Sequence, residues 1–332
     1  MITLALIGLG RWGINFLKTI KNIPDCRIKY IAASTKDTLS LYSDKYIKTT
    51  NYKDFLKYDD IDGVIISTPA STHYKILNDF VPKNIYCFVE KPLITNIKDL
   101  SNAKKYLTIK TSKIMLGYIY LYNPALSTLK NNLSKIGNIR YISFKLCNFG
   151  PFSEGVSPLW ELSPHGVSIC LYLLNDYPQE VSAFGISSLK PASNLFDNIC
   201  IRLKFKNNIT CLLEVGWLFP QKKRELIVFG EKSTFILDDL ADKKLTLHKN
   251  LGPLKNGEHL LGQEPESKYL KYSLLTPLQA ELQEFIKFIK KSKPPISNLN
   301  FSLNVESIVY AAEQSLTNNG KVITLNHINS KI

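Results

Sequence analysis

Lys91 and His165 are the side chains whose neighbours best suit them to stabilise a negative oxygen or to move a proton. Lys91 stands in Phe88-Val89-Glu90-Lys91-Pro92-Leu93, just past an apolar stretch and pinned by a proline. An ammonium held there polarises a bound oxygen and lowers the pKa of a hydroxyl, although a lysine at a strand end is more often a solvated surface group. His165 stands in Trp160-Glu161-Leu162-Ser163-Pro164-His165-Gly166-Val167-Ser168, ahead of the apolar run 169–174. With Pro164 in the first turn of a helix, His165 is expected near the helix N-terminus, where the dipole disfavours the imidazolium and leaves a neutral base. Glu161, four residues earlier, would orient the ring or bind a hydroxyl. In the structural alternative, Glu161 caps the turn and His165 bonds a local carbonyl. The five histidines (His73, His165, His248, His259, His327) show no ligand spacing, so no metal is expected.

A third group of residues supplies a partner for such chemistry. The apolar run from Ile2 to Ile7 leads into Gly8-Leu9-Gly10-Arg11-Trp12-Gly13, the G-x-G-x-x-G spacing of a dinucleotide site. Gly8 allows the tight turn, Gly10 lets backbone approach a pyrophosphate, and Gly13 lets the helix pack on the strand. An ordinary strand-to-helix turn is the plain alternative. The cofactor expectation extends to Thr68, Pro69 and His73 beside the nicotinamide ribose, and to Glu90 and Lys91. About 20 residues after such a turn an acid normally grips the adenosine ribose of NAD. Here Ser34, Thr35 and Lys36 stand at that place, which favours NADP, with Asp37 nearby as the counterweight.

The elements needed to hold these residues are readable from hydropathy. Strand and helix patterns alternate through the first 120 residues, as in βαβ units with a parallel sheet covered on both faces. Candidate strands are Ile2 to Ile7, Ile28 to Ala33, Gly63 to Ser67, Tyr86 to Glu90 and Ile114 to Gly117, with helices over Leu39 to Tyr46, Thr72 to Phe80 and Ile97 to Leu107. Ligands in such sheets bind past the carboxyl ends of strands, so Gly8, Ser34, Thr68 and Lys91 are expected along one crevice. From about Asn123 the period changes to two. Strands are expected over Ile139 to Asn148, Ile199 to Phe205, Cys211 to Trp217, Glu225 to Phe229 and Ser233 to Leu237, forming an antiparallel sheet with one wet face. Gly252 to Tyr269 reads as a surface loop or lid, and two late helices cover Leu278 to Lys291 and Leu303 to Leu316. The fold class expected is therefore α/β: a doubly wound Rossmann domain over residues 1–120, then an α+β domain over 121–332 with a mostly antiparallel open sheet.

Composition bounds the function classes. The chain has 332 residues, 45% hydrophobic and 21% charged, with no apolar run long enough for a membrane helix and no leader pattern at its start. Its six cysteines (Cys26, Cys87, Cys147, Cys170, Cys200, Cys211) are scattered, as in reduced thiols of a cytoplasmic protein. The net charge of +14 comes from lysines spread along the chain. That spread argues against nucleic acid as partner and is compatible with an anionic cofactor or nucleotide-linked substrate.

Taken in order, the glycine turn, Thr68-Pro69 with His73, Glu90-Lys91-Pro92, Gly117-Tyr118-Ile119-Tyr120-Leu121-Tyr122-Asn123-Pro124 and the segment around His165 resemble the Gfo/Idh/MocA oxidoreductase family. The resemblance covers nearly the whole chain, including Pro277 to Glu281 and Ala311 to Leu316, and Trp160 to Leu174 looks most like members acting on sugars or nucleotide-linked sugars. It implies Lys91 as catalytic lysine and His165 as the proton-transferring histidine. Glu161 falls where an aspartate is common, and Tyr120, Asn123 and Trp160 join Lys91, Glu161 and His165 in the implied substrate set. The implied reaction is reversible hydride transfer between NAD(P) and a carbinol carbon, in a homodimer or homotetramer. Gly166 and Ser168 depart from the family, standing where relatives often carry aspartates. A redox-responsive cofactor-binding regulator and a reductase of a non-sugar substrate are the competing readings.

Overall fold

The run Ile2-Thr3-Leu4-Ala5-Leu6-Ile7, apolar but for one threonine, does not alternate between core and solvent, so a strand built from it must be covered on both faces. The computed structural model, which describes residues 1–94, 102–103, 113–150, 157–189, 196–249 and 265–325, places β1 (Ile2–Ile7) in that position, buried throughout. β1 is followed by α1 (Arg11–Ile20), β2 (Cys26–Ala32), α2 (Lys36–Ser40), β3 (Ile47–Thr49), β4 (Gly63–Ile66), α3 (Ala70–Phe80), β5 (Tyr86–Glu90) and β6 (Ile114–Gly117). The strands form one parallel sheet in the order β3-β2-β1-β4-β5-β6. The register pairs Ile7 with Ala32 and Ile66, Ile66 with Val89, and Glu90 with Gly117, so the strands end along one edge. Parallel order and shared edge are what bring the residues after each strand into a row.

The second sheet has nine strands among the described residues, in the order β14-β13-β12-β11-β7-β10-β9-β8-β15. They are β7 (Ile139–Phe149), β8 (Glu180–Ile186), β9 (Asn198–Lys204), β10 (Thr210–Gly216), β11 (Leu218–Gly230), β12 (Ser233–Asp238), β13 (Leu245–Lys249), β14 (Ser267–Tyr269) and β15 (Ile323–Thr324). All neighbours are antiparallel except β7 and β10. In β9 Ile199, Ile201 and Leu203 face inward while Cys200, Arg202 and Lys204 face outward, the one-wet-face pattern expected from the alternation. Two helices belong with this sheet, α4 (Pro124–Asn131) and α5 (Pro158–Leu174). Contact between α5 and the sheet is close: a Cβ on Gly166 would lie 2.6 Å from Cδ1 of Phe144 on β7.

Two late helices follow β14, α6 (Pro277–Lys291) and α7 (Leu299–Thr317). The chain divides into two compact units, Met1–Tyr122 with Leu275–Ser307, and Asn123–Leu274 with Ile308–Ile332. Leu275–Ser307, which the sequence reading puts in the second domain, thus belongs to the first unit. The cause is hydrophobic: Leu278, Leu282, Phe285 and Phe288 of α6 are buried in one cluster with Leu4, Leu6, Phe16, Ile65 and Phe88. Phe88 meets Phe16 edge-on at 5.3 Å and Phe285 at 5.6 Å between ring centres.

Several local expectations change. Helix α2 ends at Ser40, and Ile47–Thr49 is a strand; Thr35 caps α2 through Oγ1, accepting from the Thr38 amide at 3.2 Å. Of the expected helix Ile97 to Leu107, all but Asn102 and Ala103, which are helical, lies outside the described residues. Residues 252–264 of the expected lid lie outside them too, and Ser267–Tyr269 is an edge strand paired with β13.

Candidate active site

The first unit gathers one set of expected residues. At the β1–α1 turn Gly8 has φ +96°, a conformation that disfavours any side chain, and a Cβ there would lie 2.6 Å from the Ser67 carbonyl oxygen. A Cβ on Gly13 would collide with the Gly8 carbonyl oxygen. Gly10 is different, since its φ of −72° suits any residue and nothing lies within 4 Å of its would-be Cβ. Gly10 is also the N-cap of α1, and no side chain caps the free amides of that first turn. An open approach to uncapped helix N–H groups is what a pyrophosphate needs, so these residues fit a dinucleotide. Arg11 and Trp12 are exposed beside the turn.

Ser34, Thr35 and Lys36 are exposed past β2, and Asp37 is exposed with them. Past β4, the Thr68 hydroxyl lies 2.7 Å from that of Thr72, which donates to the Pro69 carbonyl. Lys91 follows β5 directly and is half-buried, with a cis peptide to Pro92. Glu90 is buried, with its Oε2 lying 3.0 Å from where a Cβ on Gly117 would be. Behind it, Glu281 is fully buried with neither carboxyl oxygen hydrogen-bonded. Burial first, and the charge of Glu90 second, raise the Glu281 pKa well above the ordinary carboxyl value. Tyr120 is partly exposed in a short 3-10 turn, Ile119–Tyr122.

His73, expected beside the nicotinamide ribose, is buried. Its ring is 1% exposed, with Nδ1 2.8 Å from the Pro92 carbonyl oxygen and Nε2 2.7 Å from that of Thr68. Both nitrogens are occupied inside the protein. Burial lowers its pKa, with the two carbonyls opposing the shift.

The second unit holds the histidine segment. Helix α5 starts at Pro158, not Pro164; Ser157 is the N-cap, accepting from the Leu159 amide at 3.2 Å, and Pro164 lies inside the helix. His165 is therefore two turns in, and the first-turn dipole argument for a neutral imidazole does not apply. Glu161 is the residue in the first turn. Helical spacing still puts Glu161 and His165 on one face, with Glu161 exposed and His165 8% exposed. Trp160 donates from Nε1 to Glu313 at 2.9 Å. Asn123, expected near substrate, is spent on structure: Oδ1 accepts from the Ala125 amide at 2.9 Å, capping α4, and Nδ2 donates to Asp239 at 3.2 Å. Gly166 abuts Phe144, so an aspartate side chain there would meet the ring, and Ser168 Oγ donates to the His165 carbonyl at 2.8 Å.

Among the described residues no group of three or more His, Cys, Asp or Glu could hold a metal, and no helix is long and apolar enough to cross a membrane. Glu306 belongs to no sequence motif, yet this acid in the apolar stripe of α7 accepts through Oε1 from the Leu93 amide at 2.6 Å. A charged residue between Val305 and Ile308 was the available signal.

Comparison with known proteins agrees with the fold. Residues 2–118 match the oxidoreductase family with an NAD-binding Rossmann fold, and residues 134–236 match the GFO/IDH/MocA C-terminal domain. Myo-inositol 2-dehydrogenase of Thermotoga maritima is 21% identical, covering 94% of this chain and 96% of its own length. UDP-N-acetylglucosamine 3-dehydrogenase of Acidithiobacillus ferrooxidans is 21% identical over 71% of this chain and 72% of its own. A crystal structure of the latter enzyme superposes with a TM-score of 0.81 at 17% identity, covering 95% of this chain and 97% of that one. With a matching Rossmann domain, a matching C-terminal domain and relatives that span both, the chain belongs to the Gfo/Idh/MocA family of oxidoreductases.

Proposed function

We propose that this protein is an NAD(P)-dependent dehydrogenase of a sugar or nucleotide-linked sugar, with Lys91 and His165 as its acid–base residues. The observation that carries the reading is Lys91 itself, half-buried directly past β5 on the sheet edge that also carries the glycine turn. When bound, the nicotinamide supplies or accepts the hydride. Lys91 stabilises the negative oxygen of the reacting carbinol, and His165 takes the hydroxyl proton. Glu161, on the same helical face as His165, orients substrate or ring. The relatives' substrates, a cyclitol and a UDP-amino sugar, both present a secondary alcohol flanked by other polar groups, which suits this division of labour.

The test is a panel containing myo-inositol, UDP-N-acetylglucosamine and related sugars and UDP-sugars, followed through reduced-nicotinamide absorbance. Turnover of at least one is expected; a cofactor-loaded protein silent on every sugar would overturn the reading. Of the two cofactors, the phosphorylated form is the better fit to exposed Ser34, Thr35 and Lys36, since a 2′-phosphate gains charge-assisted hydrogen bonds there. NADPH is expected to bind about tenfold more tightly than NADH. Titration with tighter NADH binding would assign Asp37 to the ribose instead. For assembly we favour a homodimer or homotetramer through the outer sheet face, where Leu212 and Phe229 are exposed.

A further inference from the structure

The peptide group joining Pro92 to Leu93 is gripped at both ends by side chains from distant parts of the first unit. Its oxygen, the Pro92 carbonyl, faces His73 Nδ1 at 2.8 Å, from α3. Its N–H, that of Leu93, donates to Glu306 Oε1 at 2.6 Å, from α7. In a trans peptide the C=O and N–H point in opposite directions, so the two side chains reach the same plane from opposite sides. The ring of Pro92 already fixes its φ. Holding the next plane by both ends removes the rotation that would swing the backbone just past Lys91.

Each grip is anchored to a neighbouring strand end. The other nitrogen of His73, Nε2, lies 2.7 Å from the Thr68 carbonyl oxygen, past β4. Glu306 Oε1 also accepts from Ser302 Oγ at 3.2 Å, and that hydroxyl lies 3.2 Å from the Tyr118 hydroxyl, past β6. Since β5 runs between β4 and β6, the loop bearing Lys91 is braced to the strands on both of its sides. The bracing groups are costly to bury, as His73 and Glu306 are each 1% exposed. Burial pushes the Glu306 pKa up to about 8 against the pull of the Leu93 amide and the Ser302 hydroxyl. Burial lowers the pKa of His73 most, the two carbonyl contacts oppose it, and the Lys91 ammonium lowers it further. Two buried ionisable side chains meeting on one peptide are a large expense for a loop that an apolar contact would hold.

We propose that His73 and Glu306 are positioning residues for Lys91, fixing its height and direction past β5 by clamping the Pro92–Leu93 peptide. The inference rests on Lys91 acting on substrate. Its test uses His73→Phe, Glu306→Leu, Glu306→Gln and the double variant H73F/E306L, with Lys91→Ala as reference. With myo-inositol and UDP-N-acetylglucosamine as probes, the phenylalanine and leucine variants are expected to lose about tenfold to a hundredfold in kcat with KM and NADPH affinity little changed. The double variant should lose no more than the worse single one, because both residues hold one peptide. Glu306→Gln, which keeps the acceptor, should restore most of kcat.

A second measurement needs no substrate: amide hydrogen exchange at Leu93 should speed up in His73→Phe, although His73 does not bond that amide. Unchanged Leu93 exchange in His73→Phe, or additive kcat losses, would overturn the clamp. If Lys91→Ala abolishes turnover while the clamp variants keep it, only the clamp fails. If Lys91→Ala keeps turnover, the functional reading fails, and the exchange result still decides whether the clamp exists. Should Glu306→Leu not fold, His73→Phe and Glu306→Gln carry the same comparison.

Discussion

Lys91→Ala is expected to lower turnover by about a thousandfold or more while NADPH affinity changes only a few-fold. The two halves of that expectation come from different parts of the first unit. Cofactor affinity is assigned to backbone, the uncapped N–H groups of α1 and the close turn at Gly8, neither of which involves the lysine side chain. Rate is assigned to the ammonium, because a charge beside a forming alkoxide acts in the transition state far more than in the ground state. The loss should therefore fall on kcat and kcat/KM together, with little change in KM. Lys91→Arg keeps the charge, but its planar guanidinium is larger and differently directed, so only partial recovery is expected. Steady-state kinetics beside a fluorescence titration of NADPH separates the two effects. Turnover unchanged by the alanine would remove Lys91 from the chemistry.

How far this site is legible in sequence depends on the range of the interaction. Strands β1, β5 and β6 match their hydropathy boundaries to the residue, because a buried parallel strand is a mostly apolar run ended by glycine, lysine or a turn. The order of residues past the strands follows from parallel topology. Polar edges were harder: Ile47–Thr49 carries a lysine in a three-residue strand, too short to show a period, and the pattern around it reads as helix. The error at His165 was one of competing signals. Ser157-Pro158 is a helix start, a serine N-cap followed by proline, yet Pro164 sits nearer the apolar run and reads as a first-turn proline as well. Side-chain partners are not legible in sequence where they are remote. Nothing near Asn123 announces Asp239, and nothing near Pro92 announces His73 or Glu306, since those bonds join residues that only the folded unit brings together.

The glycine turn allows the fold's demand for glycine to be separated from the cofactor's. Gly13→Ala is expected to damage both, for its methyl meets the Gly8 carbonyl oxygen and must push α1 away from the end of β1. Overpacking against backbone costs roughly 1–3 kcal/mol, visible as a lower Tm, and the displaced helix N-terminus loses its aim at the pyrophosphate. Gly10→Ala is the sharper experiment. Its backbone angles are ordinary and its methyl would meet no protein atom, so folding makes no demand for glycine there. Its Tm should equal that of the parent chain without cofactor. The same methyl stands where a phosphate must come into contact with backbone, so NADPH affinity should fall at least tenfold, about 1.4 kcal/mol. A cofactor titration and a melting curve on the two variants test this together. Parental NADPH affinity in Gly10→Ala would mean that the pyrophosphate does not lie over this turn. Lost affinity at an unchanged Tm would make Gly10 a residue that the ligand requires and the fold does not.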